Sequence, residues 1–79
     1  MKIKVFYYAI LRDERGLGEE TLETSVLTPK ALYEELQKRY RFSLPVELVK
    51  VAVNNHFVDM NTAFKEGDSV VFIPPVAGG

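Results

Sequence analysis

The sequence is 79 residues long, enough for one small domain, with no cysteine and a single histidine, His56. Disulfides, zinc–thiolate centres and iron–sulfur clusters are excluded, no histidine-based metal site has a ligand set, and stability must come from apolar packing, for which 47% hydrophobic residues suffice. A formal charge of −1, from 10 basic and 11 acidic residues, lacks the basic excess of a nucleic-acid surface, and no apolar run forms a signal peptide or approaches a membrane span.

Residues 2–9, "KIKVFYYA", alternate as a strand, with Ile3, Val5, Tyr7 and Ala9 on the core-facing side and Lys2, Lys4, Phe6 and Tyr8 on the other. Residues 10–19 hold charges and two glycines and read as a short helical turn followed by a loop. Residues 21–27, "TLETSVL", form a second strand candidate with Leu22 and Val26 sharing a face. Thr28 and Pro29 then give a helix start, an N-cap followed by a proline where no N–H is needed. Leu32, Leu36 and Tyr40, with Tyr33 beside them, make its apolar stripe, and Glu34–Lys38 and Glu35–Arg39 are i,i+4 pairs on the outer face. Residues 43–45, "SLP", end it.

Residues 48–54 form a third strand with Val49, Val51 and Val53 alternating. Asn54, Asn55 and His56 suit a turn, and Phe57 and Val58 begin a short return strand. Gly67 suits a turn that needs positive φ, and residues 69–73, "SVVFI", are the last strand. In this strand Val70 and Phe72 face the core while Val71 and Ile73 face away. Pro74 and Pro75 then prevent further ladder donation and keep the chain extended. The order strand, strand, helix, strand, short strand, strand predicts an α+β fold of the β-grasp (ubiquitin-like) kind. One main helix lies across a mixed sheet of four to five strands, with the first and last strands adjacent and parallel at its centre. Residues 1–75 make the domain and 76–79 a flexible tail.

Nothing in the chain assembles a nucleophile, base and acid, so an independent enzyme is hard to build from it. The "GLG" at 16–18 lacks the further glycine or lysine of a phosphate loop and reads as a connection. The ending "PPVAGG" carries the chemistry instead. Glycine threads a channel too narrow for any side chain, and the stiff, small residues before it limit the entropy lost on insertion. Four residues beyond the prolines reach about 13 Å, enough to put an α-carboxylate into a partner's active site. ATP can convert a carboxylate into an acyl-adenylate. A sulfur donor then yields a thiocarboxylate, or an amine yields an isopeptide.

At "IKVFYYAILRDERG", "VAVN" and "EGDSVVFIPPVAGG" the chain resembles the small subunits of molybdopterin synthase, the MoaD-like sulfur carriers, over essentially its whole length. Thiamine-pathway (ThiS-like) carriers share the fold and Gly-Gly but are usually shorter and less often have the Pro-Pro. The resemblance implies that Gly79 is adenylated by an E1-like (MoeB-like) enzyme using ATP and then carries sulfur as a thiocarboxylate. It also implies that the tail enters a large (MoaE-like) subunit that makes molybdopterin from precursor Z, typically within a heterotetramer. On this reading Gly78, Ala77, Val76, Pro75 and Pro74 belong to the inserted segment, Ile73 and Phe57 are apolar contacts, and Arg12 is a polar contact with the partner. The chain binds no cofactor or metal itself, and a cytoplasmic location is expected. Two other readings stay open: a sulfur carrier for thiamine, tRNA thiolation or protein conjugation, and a β-grasp interaction module with an inert tail. Two of the contact residues also have plainer roles open to them, Phe57 as a turn anchor packed on the core and Arg12 as a solvated surface residue.

Overall fold

The computed structural model describes residues 1–75. In chain order these form β1 (Lys2–Tyr7), α1 (Ala9–Arg15), β2 (Glu19–Glu23), α2 (Pro29–Tyr40), a 3-10 turn (Val46–Leu48), β3 (Lys50–Val53), β4 (His56–Val58) and β5 (Ser69–Ile73). The strands make one five-stranded sheet in the order β2-β1-β5-β3-β4. β1 and β5 run parallel at the centre, and every other pair is antiparallel. This is the expected β-grasp arrangement.

Alternation decides which side of the sheet is covered. Ile3, Val5 and Tyr7 of β1, Val51 of β3, and Val70 and Phe72 of β5 are buried against Leu32, Tyr33 and Leu36 of α2. Leu11, Phe42 and Phe64 complete the cluster. Burying each large apolar side chain contributes about 1.5–3 kcal/mol, which is how a chain without cross-links holds together. The Tyr33 ring meets Phe72 edge-on at 5.3 Å, and its hydroxyl donates to the Leu44 carbonyl at 2.6 Å.

Helix α2 begins as predicted. Thr28 Oγ1 accepts from the Ala31 N–H at 3.2 Å and Pro29 occupies the first turn. Of the two predicted surface pairs, Glu35–Arg39 forms at 3.6 Å, whereas Glu34 and Lys38 stay beyond ion-pair distance. The helix ends at Arg41 rather than at residues 43–45, through a left-handed conformation with φ of 57°.

Four further boundaries differ from the sequence reading. β1 stops at Tyr7, because Ala9 takes φ of 51° and starts α1, so Ala9 is exposed instead of extending the core face. The predicted helical turn is a seven-residue helix, closed by Gly16 at φ of 86° with its N–H on the Arg12 carbonyl. β2 lies at 19–23, earlier than 21–27, because its register follows β1 from Phe6↔Glu19 to Lys2↔Glu23. Leu22 and Val26 still pack against the core. β3 begins only at Lys50, after the 3-10 turn that follows Pro45.

Candidate functional site

β5 leads out of the middle of the sheet to Pro74, which is half-buried, and Pro75, which is exposed. Val76, Ala77, Gly78 and Gly79 lie outside the described residues. Around this exit the uncovered face of the sheet carries an apolar row set by the register. Phe6 pairs with Val71, Val71 with Ala52, and Ala52 with Phe57, so one side chain from each of four adjacent strands lies in line. Ile73 stands on the same face, two residues beyond Val71.

Phe57 is 74% exposed, the highest value among the exposed large hydrophobic side chains. It is therefore not a turn anchor packed on the core. The short hairpin presents it outward. Asn54 and Asn55 both take positive φ, 51° and 70°, between the paired Val53 and His56, a two-residue turn of the type that keeps strands twisted together. Tyr8, 53% exposed, follows β1 at the same end of the sheet as Ile73. Exposed apolar clusters of this kind are a common feature of interaction surfaces.

Arg12 is exposed on α1, its stem beside Gly18, where an added Cβ would meet Nε at 3.6 Å. β1 runs parallel to β5, so α1 and Pro74 lie at the same end of the sheet. Arg12 is not part of the apolar row, whereas Phe57 and Ile73 stand on one face of the sheet, with β3 between their strands.

Two polar networks hold this frame. Asp68, only 7% exposed, accepts at Oδ1 from Asn54 Nδ2 at 2.9 Å and at Oδ2 from the Lys65 N–H at 2.8 Å. Asn54 Oδ1 in turn accepts from the Ser69 N–H at 3.0 Å. Gly67 makes the turn before Asp68 with φ of 83° and donates its N–H to the Lys2 carbonyl at 2.9 Å. The "EGDS" stretch thus clamps the β3–β4 hairpin to the start of β5. At the opposite end, Arg15 grips Glu20 through Nε and NH2, both at 2.7 Å, and the Tyr7 hydroxyl donates to the same carboxylate at 2.6 Å. The Arg15 guanidinium also stacks 3.9 Å over Tyr40. Arg15 holds the Glu20 carboxyl below its usual range, with Tyr7 adding to this, against the opposing effect of burial. Burial, and then the Glu20 contact, push the Tyr7 phenol far above its usual range. Burial, helped by the charge of Glu14, pushes Tyr33 up to about 12. None of these groups faces the apolar row, so the networks are scaffold.

Sequence reasoning placed Phe6 and Tyr8 outward without assigning them to the site, and placed Val71 outward with Ile73 as an apolar pair beside the tail. Alternation gave their direction. Their alignment into a row with Ala52 depends on cross-strand register, which no local pattern carries. Among the described residues no group of three His, Cys, Asp or Glu side chains could hold a metal, and no helix is long and apolar enough to cross a membrane.

A model of the ThiS family matches residues 5–79. The chain is 35% identical over 80 residues to a molybdopterin synthase sulfur carrier subunit of Haemophilus influenzae, covering 98% of this chain and 99% of that one. It superposes with TM-score 0.80 on a solved protein of Pyrococcus furiosus described as molybdopterin converting factor, subunit 1, at 34% identity, covering 96% and 99% of the two chains. In Helicobacter pylori a similar chain, 25% identical with TM-score 0.69 and full coverage of both, was solved in a complex of subunits 1 and 2 of molybdopterin-converting factor.

Proposed function

We propose that this chain, which belongs to the ThiS family, is the sulfur carrier subunit of a molybdopterin synthase. The observation that carries the reading is the joining of the Pro74–Pro75 exit to an uncovered apolar row in which Phe57 is 74% exposed. The row offers a docking face, and the tail offers a reach of about 13 Å into a docked partner.

The chemistry requires no catalytic group in this chain. An E1-like adenylating enzyme directs the Gly79 carboxylate onto the α-phosphorus of ATP, and pyrophosphate leaves. A sulfur nucleophile then attacks the acyl carbon, and AMP leaves with the bonding pair, giving the thiocarboxylate. On the large subunit the acyl carbon is next attacked by water as sulfur passes to precursor Z, which restores the carboxylate for another cycle. Gly78 and Gly79 leave the acyl carbon open to attack, and Ala77 and Val76 are small enough to follow them into a channel. Phe57 and Ile73 supply contact on the outer face, and Arg12 adds a polar contact at the same end. A partner of subunit 2 type, as in the Helicobacter pylori complex, fits this arrangement.

The test is the intact mass of the untagged chain after incubation with the adenylating enzyme, ATP and a sulfur donor. The expected result is exchange of one oxygen for one sulfur at Gly79. A chain lacking Gly79 should keep its circular dichroism and melting behaviour, stay unloaded and support no molybdopterin formation. An unchanged mass in the presence of a demonstrably active enzyme overturns the proposal.

A further inference from the structure

A cation borders the apolar row on the outer face. Lys50, the first residue of β3, is the register partner of Ile73. Val51 points into the core, so Lys50 and Ala52 on either side of it point outward. Lys50 is exposed, and with Phe57, Val58 and Met60 it lines an open groove at the β4 edge. Lys4, beside the row on β1, differs. Glu19 lies 3.1 Å from its ammonium, and the Phe6 ring lies 5.3 Å away on its other side. Among the described residues no carboxylate comes within 4.0 Å of the Lys50 ammonium. Asp59 lines the same groove, but one of its oxygens, Oδ1, accepts from the Asn61 N–H at 2.8 Å.

A partner that covers Phe57, Val71 and Ile73 also covers or borders Lys50. Taking an ammonium out of water without a counter-charge is strongly unfavourable, so a purely apolar partner surface is rejected there, and a basic one more so. Resting on the docking reading above, we infer that Lys50 is a specificity-determining residue. It selects a partner whose apolar pocket for Phe57 and Ile73 is bordered by a carboxylate. The same charge speeds encounter with an acidic rim and makes that encounter salt-dependent.

The experiment titrates the cognate large subunit with the unaltered chain and with Lys50→Met, Lys50→Glu and Phe57→Ser, at low and high salt. Circular dichroism verifies that each variant is folded. Lys50→Met should weaken binding about tenfold at low salt and remove most of the salt dependence, and Lys50→Glu should weaken it about a hundredfold. If Lys50→Glu binds within about twofold of the unaltered chain while Phe57→Ser is weakened, the inference falls and the docking face stands. Tighter binding by Lys50→Met has the same meaning. If Phe57→Ser also binds normally, or the unaltered chain does not bind, the docking reading falls and takes this inference with it.

Discussion

Asp68 shows what one side chain contributes to the geometry of the exit. Both of its oxygens are committed, one to Asn54 and one to the Lys65 N–H, and Asn54 passes the constraint on to Ser69. β5 therefore begins at a fixed point relative to the hairpin that carries Phe57. Asp68→Ala removes two charge-assisted hydrogen bonds of a buried carboxylate, made to part-buried donors, for an expected loss of about 1–2 kcal/mol in urea unfolding. A loss below about 0.5 kcal/mol would place this residue with ordinary surface substitutions and remove the clamp from the account. The sequence drew attention to this stretch through Gly67, whose φ of 83° matches the predicted need. Asp68 itself looked like one more turn residue. Its partner Asn54 is 14 residues away in sequence, and the contact exists only once β3 and β5 are paired.

At the scale of elements, legibility followed burial and caps. α2 was readable because its start is a local hydrogen bond from Ala31 to Thr28 and its stripe is wholly buried at Leu32, Tyr33 and Leu36. α1 was legible only as a short helical turn because it buries a single residue, Leu11, so seven residues leave almost no periodic signal. β2 was misplaced for a related reason: it is an edge strand with no fully buried side chain, and its limits come from β1. The end of α2 yields a prediction. Arg41 takes φ of 57°, where a side chain costs about 1–2 kcal/mol, while its N–H caps the Gln37 carbonyl. Arg41→Gly should keep the cap and raise stability by about 0.5–1 kcal/mol, since glycine's greater unfolded-state entropy offsets part of the relief. Thr28→Ala at the other end should lower it by about 1 kcal/mol. A destabilised Arg41→Gly in thermal unfolding would mean that the arginine side chain, not the backbone, closes the helix.

For the molecule as a whole, the order of elements was legible because alternation, proline and glycine mark them locally, and the parallel pairing of the first and last strands followed from the fit of that order to a β-grasp fold. The apolar row was not legible, since it is a property of register across β1, β5, β3 and β4. The two ends of the core also set limits on the pH range in which the fold is stable. Arg15 and Tyr7 keep Glu20 ionised in the folded chain below the pH at which it protonates when unfolded. As pH falls, the unfolded chain takes up this proton first, so stability present above the ordinary glutamate range is lost progressively toward the lowered folded value. The alkaline side reverses the proton count. Unfolded tyrosines ionise near pH 10, whereas folded Tyr33 holds its proton to about 12 and Tyr7 holds it higher still. The folded state then binds more protons than the unfolded one, and stability falls as pH rises from about 10 through 12. Urea midpoints should therefore form a plateau between a glutamate-range acid limb and an alkaline limb near pH 10. Glu20→Gln should lower the plateau and flatten the acid limb. Tyr33→Phe should remove part of the alkaline limb while leaving the acid limb unchanged. An acid limb of full depth in Glu20→Gln would show that other carboxylates, not the Arg15–Glu20–Tyr7 cluster, govern acid unfolding.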